Sequence, residues 1–182
     1  MLNKMTSKNF TTFECRRCAT CCCVPVVPVT DSDIKRIAAE TGKPASSFVR
    51  FYSPSEMDFD KESDVWIRFP YGKRAMGLRR RKDRCIFLND EKSCTIYKAR
   101  PMTCRTFPYM IDFDENDEPV KSSLNRIVDC KAKRKKPSPI KDVIENVYIE
   151  DEEDMLYFDR IGEWNHWPQG GAEAFFSYLN LK

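Results

Sequence analysis

The sequence is short of histidine, of glycine and of long apolar runs, and each shortage excludes something. Its one histidine, His166, lies between Trp164 and Trp167, so no Ser/His/Asp constellation and no histidine-rich metal site is in view. The six glycines form no glycine-rich phosphate loop, and no pair of catalytic acids stands out. No stretch approaches the roughly 18 apolar residues that span a bilayer. Met1 to Phe10 contains neither an apolar h-region nor a small-residue cleavage site, so the expected location is the cytoplasm. A formal net charge of +3 is too small to imply a nucleic acid or an anionic membrane. The 182 residues, 41% hydrophobic and 32% charged, suit one ordinary domain, with or without an appendage.

Cysteine is what the chain has in excess. There are nine, and five of them fall between Cys15 and Cys23. A disulfide framework fits poorly, because cytosolic thiols are kept reduced and nine is an odd number. Buried structural cysteines would scatter; metal ligation explains the clustering. Cys15/Cys18 and Cys18/Cys21 form two successive C-x-x-C units, each putting two sulfurs on one tight turn. The run is similar to the opening of a bacterial ferredoxin motif, but Cys22 and Cys23 follow at once, where a ferredoxin spaces its fourth cysteine and adds proline. Neighbouring cysteines tend to point apart, so Cys21 and Cys22 suggest two metals or two edges of one larger centre.

The periodicity predicts an α+β fold, with short strands around an irregular metal-centred region and a helical C-terminal portion. Residues 1–12 read as a flexible arm, 13–130 as the cysteine-bearing domain, and 131–182 as a basic linker and helices packed on it. A helix is predicted over 31–41, capped by Thr30 or Asp31, striped by Ile34, Ile37 and Ala38 and stopped at Gly42. Pro44 opens a second short helix carrying Phe48 and Phe51. Val65–Phe69 alternates as a strand, Tyr71-Gly72-Lys73 turns, and Met76–Arg81 returns. Cys85–Leu88 reads as a strand, Thr95–Ala99 as one helical turn, and Pro119–Val128 as a weak strand ending near Cys130. Ser138-Pro139 starts a helix with Ile140, Val143, Ile144 and Val147. Met155, Phe158 and Ile161 mark another, and Ala172–Leu181 a last one.

The second half of the cysteine set carries the more specific signal. Cys85-Ile86-Phe87-Leu88 gives C-x-F-L, and Cys94 to Pro108 gives C-x-I-Y-x-x-R-P-x-x-C-R-x-F-P. Together with the leading CxxCxxCC, these strings closely resemble the YkgJ-type cysteine-cluster family of zinc- or iron-chelating domains. The resemblance spans about residues 13–130. It implies Cys15, Cys18, Cys21, Cys22, Cys85, Cys94 and Cys104 as metal ligands, with Cys130 as the last and Cys23 as a doubtful ninth. Tyr97, Pro101, Phe107 and Pro108 then shape and dry the pocket. The flagellin lysine methylases share a similar module but carry much more protein, and no S-adenosylmethionine motif occurs here.

Charge agrees with thiolate ligands. Between Lys73 and Arg105 there are eleven basic residues against Asp83, Asp90 and Glu91. Four thiolates on zinc, or on a [4Fe–4S] cluster, leave a net negative site that such cations offset. Arg100 and Arg105 flank Cys104 and are the candidate cofactor-contacting donors. Soft thiolate ligation suits both metals. Adjacent cysteines favour an iron–sulfur cluster slightly, with zinc close behind. The expected function is metal binding, in a redox, electron-transfer or metal-handling role, with a protein partner left open. One alternative is a zinc-stabilised nucleic-acid module using Arg79-Arg80-Arg81-Lys82, although acidic runs at 112–118 and 150–154 oppose it. Another is a metal-dependent accessory to a protein methylase. No enzymatic activity is expected apart from the metal itself.

Overall fold

A computed structural model of the chain describes residue 10 and residues 18–23, 26–125, 140–167 and 170–181. All of the predicted arm at 1–12 except residue 10, together with Cys15, Cys130, the basic run 131–136 and Ser138-Pro139, lies outside these residues. In chain order the elements are α1 (Thr20–Cys23), α2 (Asp31–Thr41), α3 (Ala45–Phe48), β1 (Val49–Tyr52), β2 (Ile67–Phe69), β3 (Gly72–Leu78), β4 (Arg80–Arg81), β5 (Arg84–Cys85), α4 (Met102–Thr106), β6 (Tyr109–Phe113), β7 (Pro119–Leu124), α5 (Ile140–His166) and α6 (Ala172–Tyr178). This is a mixed α+β fold with short strands and a helical C-terminal region. Among the described residues, no helix is long and apolar enough to cross a membrane.

Helix α2 shows why sequence reading works where local chemistry is complete. The Thr30 hydroxyl accepts from Asp33 N, while the Asp33 carboxylate accepts from Thr30 N, a reciprocal capping box. At the other end Gly42 takes φ 65°, and its N–H donates to the Ala38 carbonyl. Ile34 and Ile37 are fully buried.

The sheet is antiparallel in the order β1-β3-β2. Val49 pairs with Leu78 and Tyr52 with Ala75, while Ile67 pairs with Arg74 and Phe69 with Gly72. Beyond β2, the stretch around Pro28 runs along β3, with Val29 N donating to Met76 O at 3.2 Å and Leu78 N to Val27 O at 2.9 Å. That close approach needs glycine at 77. A Cβ there would stand 2.7 Å from Val26 Cγ1 and 3.1 Å from the Val27 carbonyl. The free edge of β2 is closed by Asn165 of α5, which accepts from Arg68 N at 2.6 Å and donates to Trp66 O at 2.8 Å.

Several predicted elements differ. Phe51 lies on β1 rather than on the helix opened by Pro44, because α3 ends at Phe48 and the chain extends at once. The return strand begins at Gly72, so the turn falls on Pro70-Tyr71 and not on Tyr71–Lys73. Of the predicted Cys85–Leu88 strand only Cys85 lies in a strand, at the end of β5, and Thr95–Ala99 is a run of turns. The stripes read as two C-terminal helices belong to one 27-residue helix, α5. No breaker separates them: the acidic run between is helix-compatible, and Glu153 within it pairs with Arg36 of α2 at 2.8 Å. Met155 is 68% exposed, and the buried stripe there is Tyr157, Ile161 and Trp164.

One apolar core joins these pieces. Ile34, Ile37, Phe48, Ile67 and Met76 pack with Ile161, Trp164 and Phe175, and the sulfur-bearing Cys85, Cys94 and Cys104 lie against its border. Phe175 stacks edge-on against Trp164 at 5.0 Å and Phe69 at 5.9 Å.

Candidate metal centre

Four separate segments carry the described cysteines of interest. The first is α1, entered through Ala19 in a left-handed conformation (φ 63°), with Cys22 N donating to Ala19 O. It holds Cys21, Cys22 and Cys23. Neighbouring side chains were expected to diverge, yet the Sγ atoms of Cys21 and Cys22 are 4.0 Å apart. The short turn, anchored on Ala19, leaves both thiols free to lean to one side. Cys18 stands just before it, its Sγ 3.3 Å from the Thr20 hydroxyl.

The second segment is the β4–β5 hairpin, where Cys85 pairs with Arg80. Arg80 donates to the Cys23 carbonyl at 2.8 Å and to the Asp83 carbonyl, pinning α1 to this hairpin. The third is the loop closed by a Leu88–Cys94 bridge, with Asn89 N donating to Ser93 O and Thr95 N to Phe87 O. The fourth is α4, which carries Cys104 and which periodicity did not reveal. Pro101 sits at its N-cap, where a missing N–H costs nothing, and this proline is the only local signal.

What orients α4 is Asp33. Its carboxylate accepts from Met102 N at 2.9 Å and from the Arg36 guanidinium at 2.7 Å, with its side chain only 3% exposed. A free helix N–H is thus satisfied from another helix, and the same carboxylate caps α2. Burial raises the Asp33 pKa above the usual carboxylate range, against the opposing pull of Met102 N and Arg36. Sequence reasoning missed this role, because one Asp in a capping box looks the same whether or not a second helix uses it.

The thiols feel one another. Burial raises Cys104, and the thiols of Cys85, Cys21 and Cys94 raise it further. Burial also raises Cys85 and Cys94. The Cys21–Cys22 contact acts in opposite directions on the two thiols, raising Cys22 and lowering Cys21 to about 7. Cys18 is lowered by the Thr20 hydroxyl. Arg100 acts on two of these thiols, favouring the thiolate of Cys21 and of Cys94, while its guanidinium lies 4.1 Å over the Tyr97 ring. Arg105 is placed differently, donating to the carbonyls of Arg100 at 3.1 Å and Lys98 at 2.6 Å, so that it braces the loop before α4.

The structure therefore brings Cys21, Cys22, Cys85, Cys94 and Cys104 into one neighbourhood, with Cys18 and Cys23 exposed at its side. Among the described residues, no three His, Cys, Asp or Glu side chains are arranged so that they could already hold a metal ion. His166 is exposed at the end of α5, edge-on to Trp167.

Over 100 residues, 54% of its length, the chain is 32% identical to an uncharacterised protein of Methanocaldococcus jannaschii. The matched segment covers 46% of that relative, so the chain spans about half the length of the curated protein it matches. No solved structure matches the chain. Residues 14–131 match the CxxCxxCC family, described as "Putative zinc- or iron-chelating domain". That match takes in every cysteine from Cys15 through Cys130 and covers well over half of the sequence, and the chain belongs to this family.

Proposed function

We propose that the chain holds a thiolate-ligated metal centre, an iron–sulfur cluster in preference to zinc, in a redox or metal-handling role. The observation that carries this reading is the gathering of Cys21, Cys22, Cys85, Cys94 and Cys104 from four segments, of which α1 lies far in sequence from the other three. Nothing in apolar packing requires five thiols in one place. A metal supplies the reason, since its charge offsets the mutual repulsion of thiolates that burial otherwise keeps protonated.

The donor set fits. Two thiolates on one tetrahedral zinc stand about 3.8 Å apart, given Zn–S distances of about 2.3 Å, and the Cys21–Cys22 separation of 4.0 Å is close to that. Ligation by the remaining thiols calls for side-chain rotation toward the same point. Cys15, Cys18 and Cys130 complete the proposed set; Cys15 and Cys130 lie outside the described residues. Arg100 serves as the cation beside the centre, and Arg105 holds the Arg100 loop in place. The adjacent cysteines and the ferredoxin-like CxxCxxC opening are why a cluster is preferred, since eight thiols would equally fill two four-ligand zinc sites.

Elemental analysis and an ultraviolet–visible spectrum of anaerobically purified protein test the reading. Iron and acid-labile sulfide with a broad absorption near ~400 nm, bleached by dithionite, are expected for thiolate-bound iron–sulfur. A colourless protein with stoichiometric zinc would reverse the preference between metals, and protein without either would sink the proposal.

A further inference from the structure

Five described residues other than glycine adopt a left-handed backbone, and three of them, Ala19 (φ 63°), Lys82 (φ 61°) and Lys92 (φ 59°), line one cavity of about 380 Å³. Such a backbone disfavours any residue with a Cβ, and glycine or asparagine relieves it. The β4–β5 turn and the turn before Cys94 nevertheless both place lysine there. Local folding does not explain that choice; the shared cavity does.

Its charge is one-sided. Arg81 and Arg84 add two cations to the two lysines, and Asp83 is the one carboxylate in the lining. Arg84 is engaged by Asp90, whereas Arg81, Lys82 and Lys92 make no ion pair among the described residues. Arg81 and Arg84 also wall a neighbouring depression of about 550 Å³ that reaches Lys43, where Asp90 is the one carboxylate against three cations. Holding like charges together without a counter-charge costs energy that a bound anion removes. The rings in the adjoining wall, Phe48 and Phe87, are buried at 1% and 5% exposure. They offer no platform on which bases could stack, which argues against a single-stranded nucleic acid.

We propose that this cavity, beside Cys23 at the edge of the cysteine region, binds a compact ligand bearing two or more carboxylate or phosphate groups. Its volume lies within the range of small-ligand sites. Two turns present the ammonium groups from left-handed positions, Arg81 supplies the planar donor fork, and Asp83 gives the ligand a defined orientation.

Calorimetric titration of the full chain with citrate and with pyrophosphate, at low salt, is the test. One-to-one binding of at least one of them is expected, and the tighter of the two tells carboxylate from phosphate. Lys82→Gly and Lys92→Gly should each weaken binding by about tenfold while the melting temperature stays level or rises, since glycine suits the backbone at both positions. Lys82→Asn should do the same. Lys121→Gln, which removes an equal charge from the distant β6–β7 hairpin, should leave affinity within about twofold. Several results would overturn the proposal: no heat from either anion up to about 10 mM, binding untouched by the lysine variants, or equal weakening by Lys121→Gln. A short single-stranded oligonucleotide that outcompetes both small anions would overturn it as well, by making the groove a nucleic-acid surface.

Discussion

The α2–α5 frame and the cysteine region are built by opposite means. In the frame, Ile34 and Ile37 of α2 share a core with Tyr157, Ile161 and Trp164 of α5. Arg36–Glu153 and Asp31–Arg160 ion pairs cross between the two helices. The cysteine region has a four-residue α1 with no buried residue in it, two-residue strands and a five-residue α4. Such elements are too short to be stable alone, and they keep their places by borrowed contacts. Arg80 pins α1, Arg105 braces the 98–100 loop, and Asp33 reaches across from the frame to hold α4. The difference teaches that the frame can fold on apolar burial, whereas the cysteine region depends on the frame and, in the proposed function, on a metal.

The sharpest way to break this comparison is Cys104→Ser. Bound metal per chain should fall by about tenfold or more, while hydrogen exchange of α2 and α5 amides stays slow. Loss of protection in both regions together would mean that they are a single cooperative unit. Asp33→Ala attacks the link itself, stranding the Met102 and Thr30 amides and leaving Arg36 with Glu153 alone. It should cost about 3 kcal/mol in urea unfolding and weaken metal retention as well. A stability loss with metal retention unchanged would show that α4 does not need its cap to present Cys104.

Gly77→Ala tests the frame without touching the link. The added methyl meets Val26 and the Val27 carbonyl, which must move, and about 2 kcal/mol should be lost. Metal content should be preserved, because no cysteine approaches β3 through this contact. The smallest effect is expected from Asp154→Asn. Burial, and then the carboxylates of Glu150, Asp33, Asp151 and Glu153, raise Asp154 to about 7. A raised carboxylate favours folding in its protonated form, so its contribution is complete at low pH and lost as pH rises through about 7. The variant should therefore melt higher than the wild type above pH 7 and converge with it below about pH 4. An advantage independent of pH would place the cause elsewhere.

How much of this was legible beforehand varied with the range of the deciding interaction. Helix α2 was readable to the residue, because Thr30, Asp33 and Gly42 complete its caps locally. The alternation at 65–69 gave β2 in outline. Strand β6, helix α4 and the union of two predicted helices into α5 were not readable in the same way. Tyr109–Phe113 acquires strand character by pairing with Pro119–Leu124, and α4 acquires its cap from a residue 69 positions away. Of the metal site, the cysteine spacing and the C-x-I-Y-x-x-R-P-x-x-C-R-x-F-P string were visible at once. The roles of Arg80 and Asp33 were not, since nothing adjacent in sequence distinguishes them from neighbouring charges.

The sequence by itself determined the inventory: nine cysteines in two separated groups, a basic stretch between them, and an amphipathic pattern that could close only as a mixed α+β fold. Composition and spacing are properties of the covalent chain and require no partner. Tertiary structure alone decided that Cys21, Cys22, Cys85, Cys94 and Cys104 lie in one neighbourhood, and that Asp33 caps α4 from another helix. It also decided that Lys82 and Lys92, ten residues apart in the chain, share one cavity. The physical reason is common to all three. Burial, mutual charge and long-range hydrogen bonds act through space, and only folding brings their partners within reach.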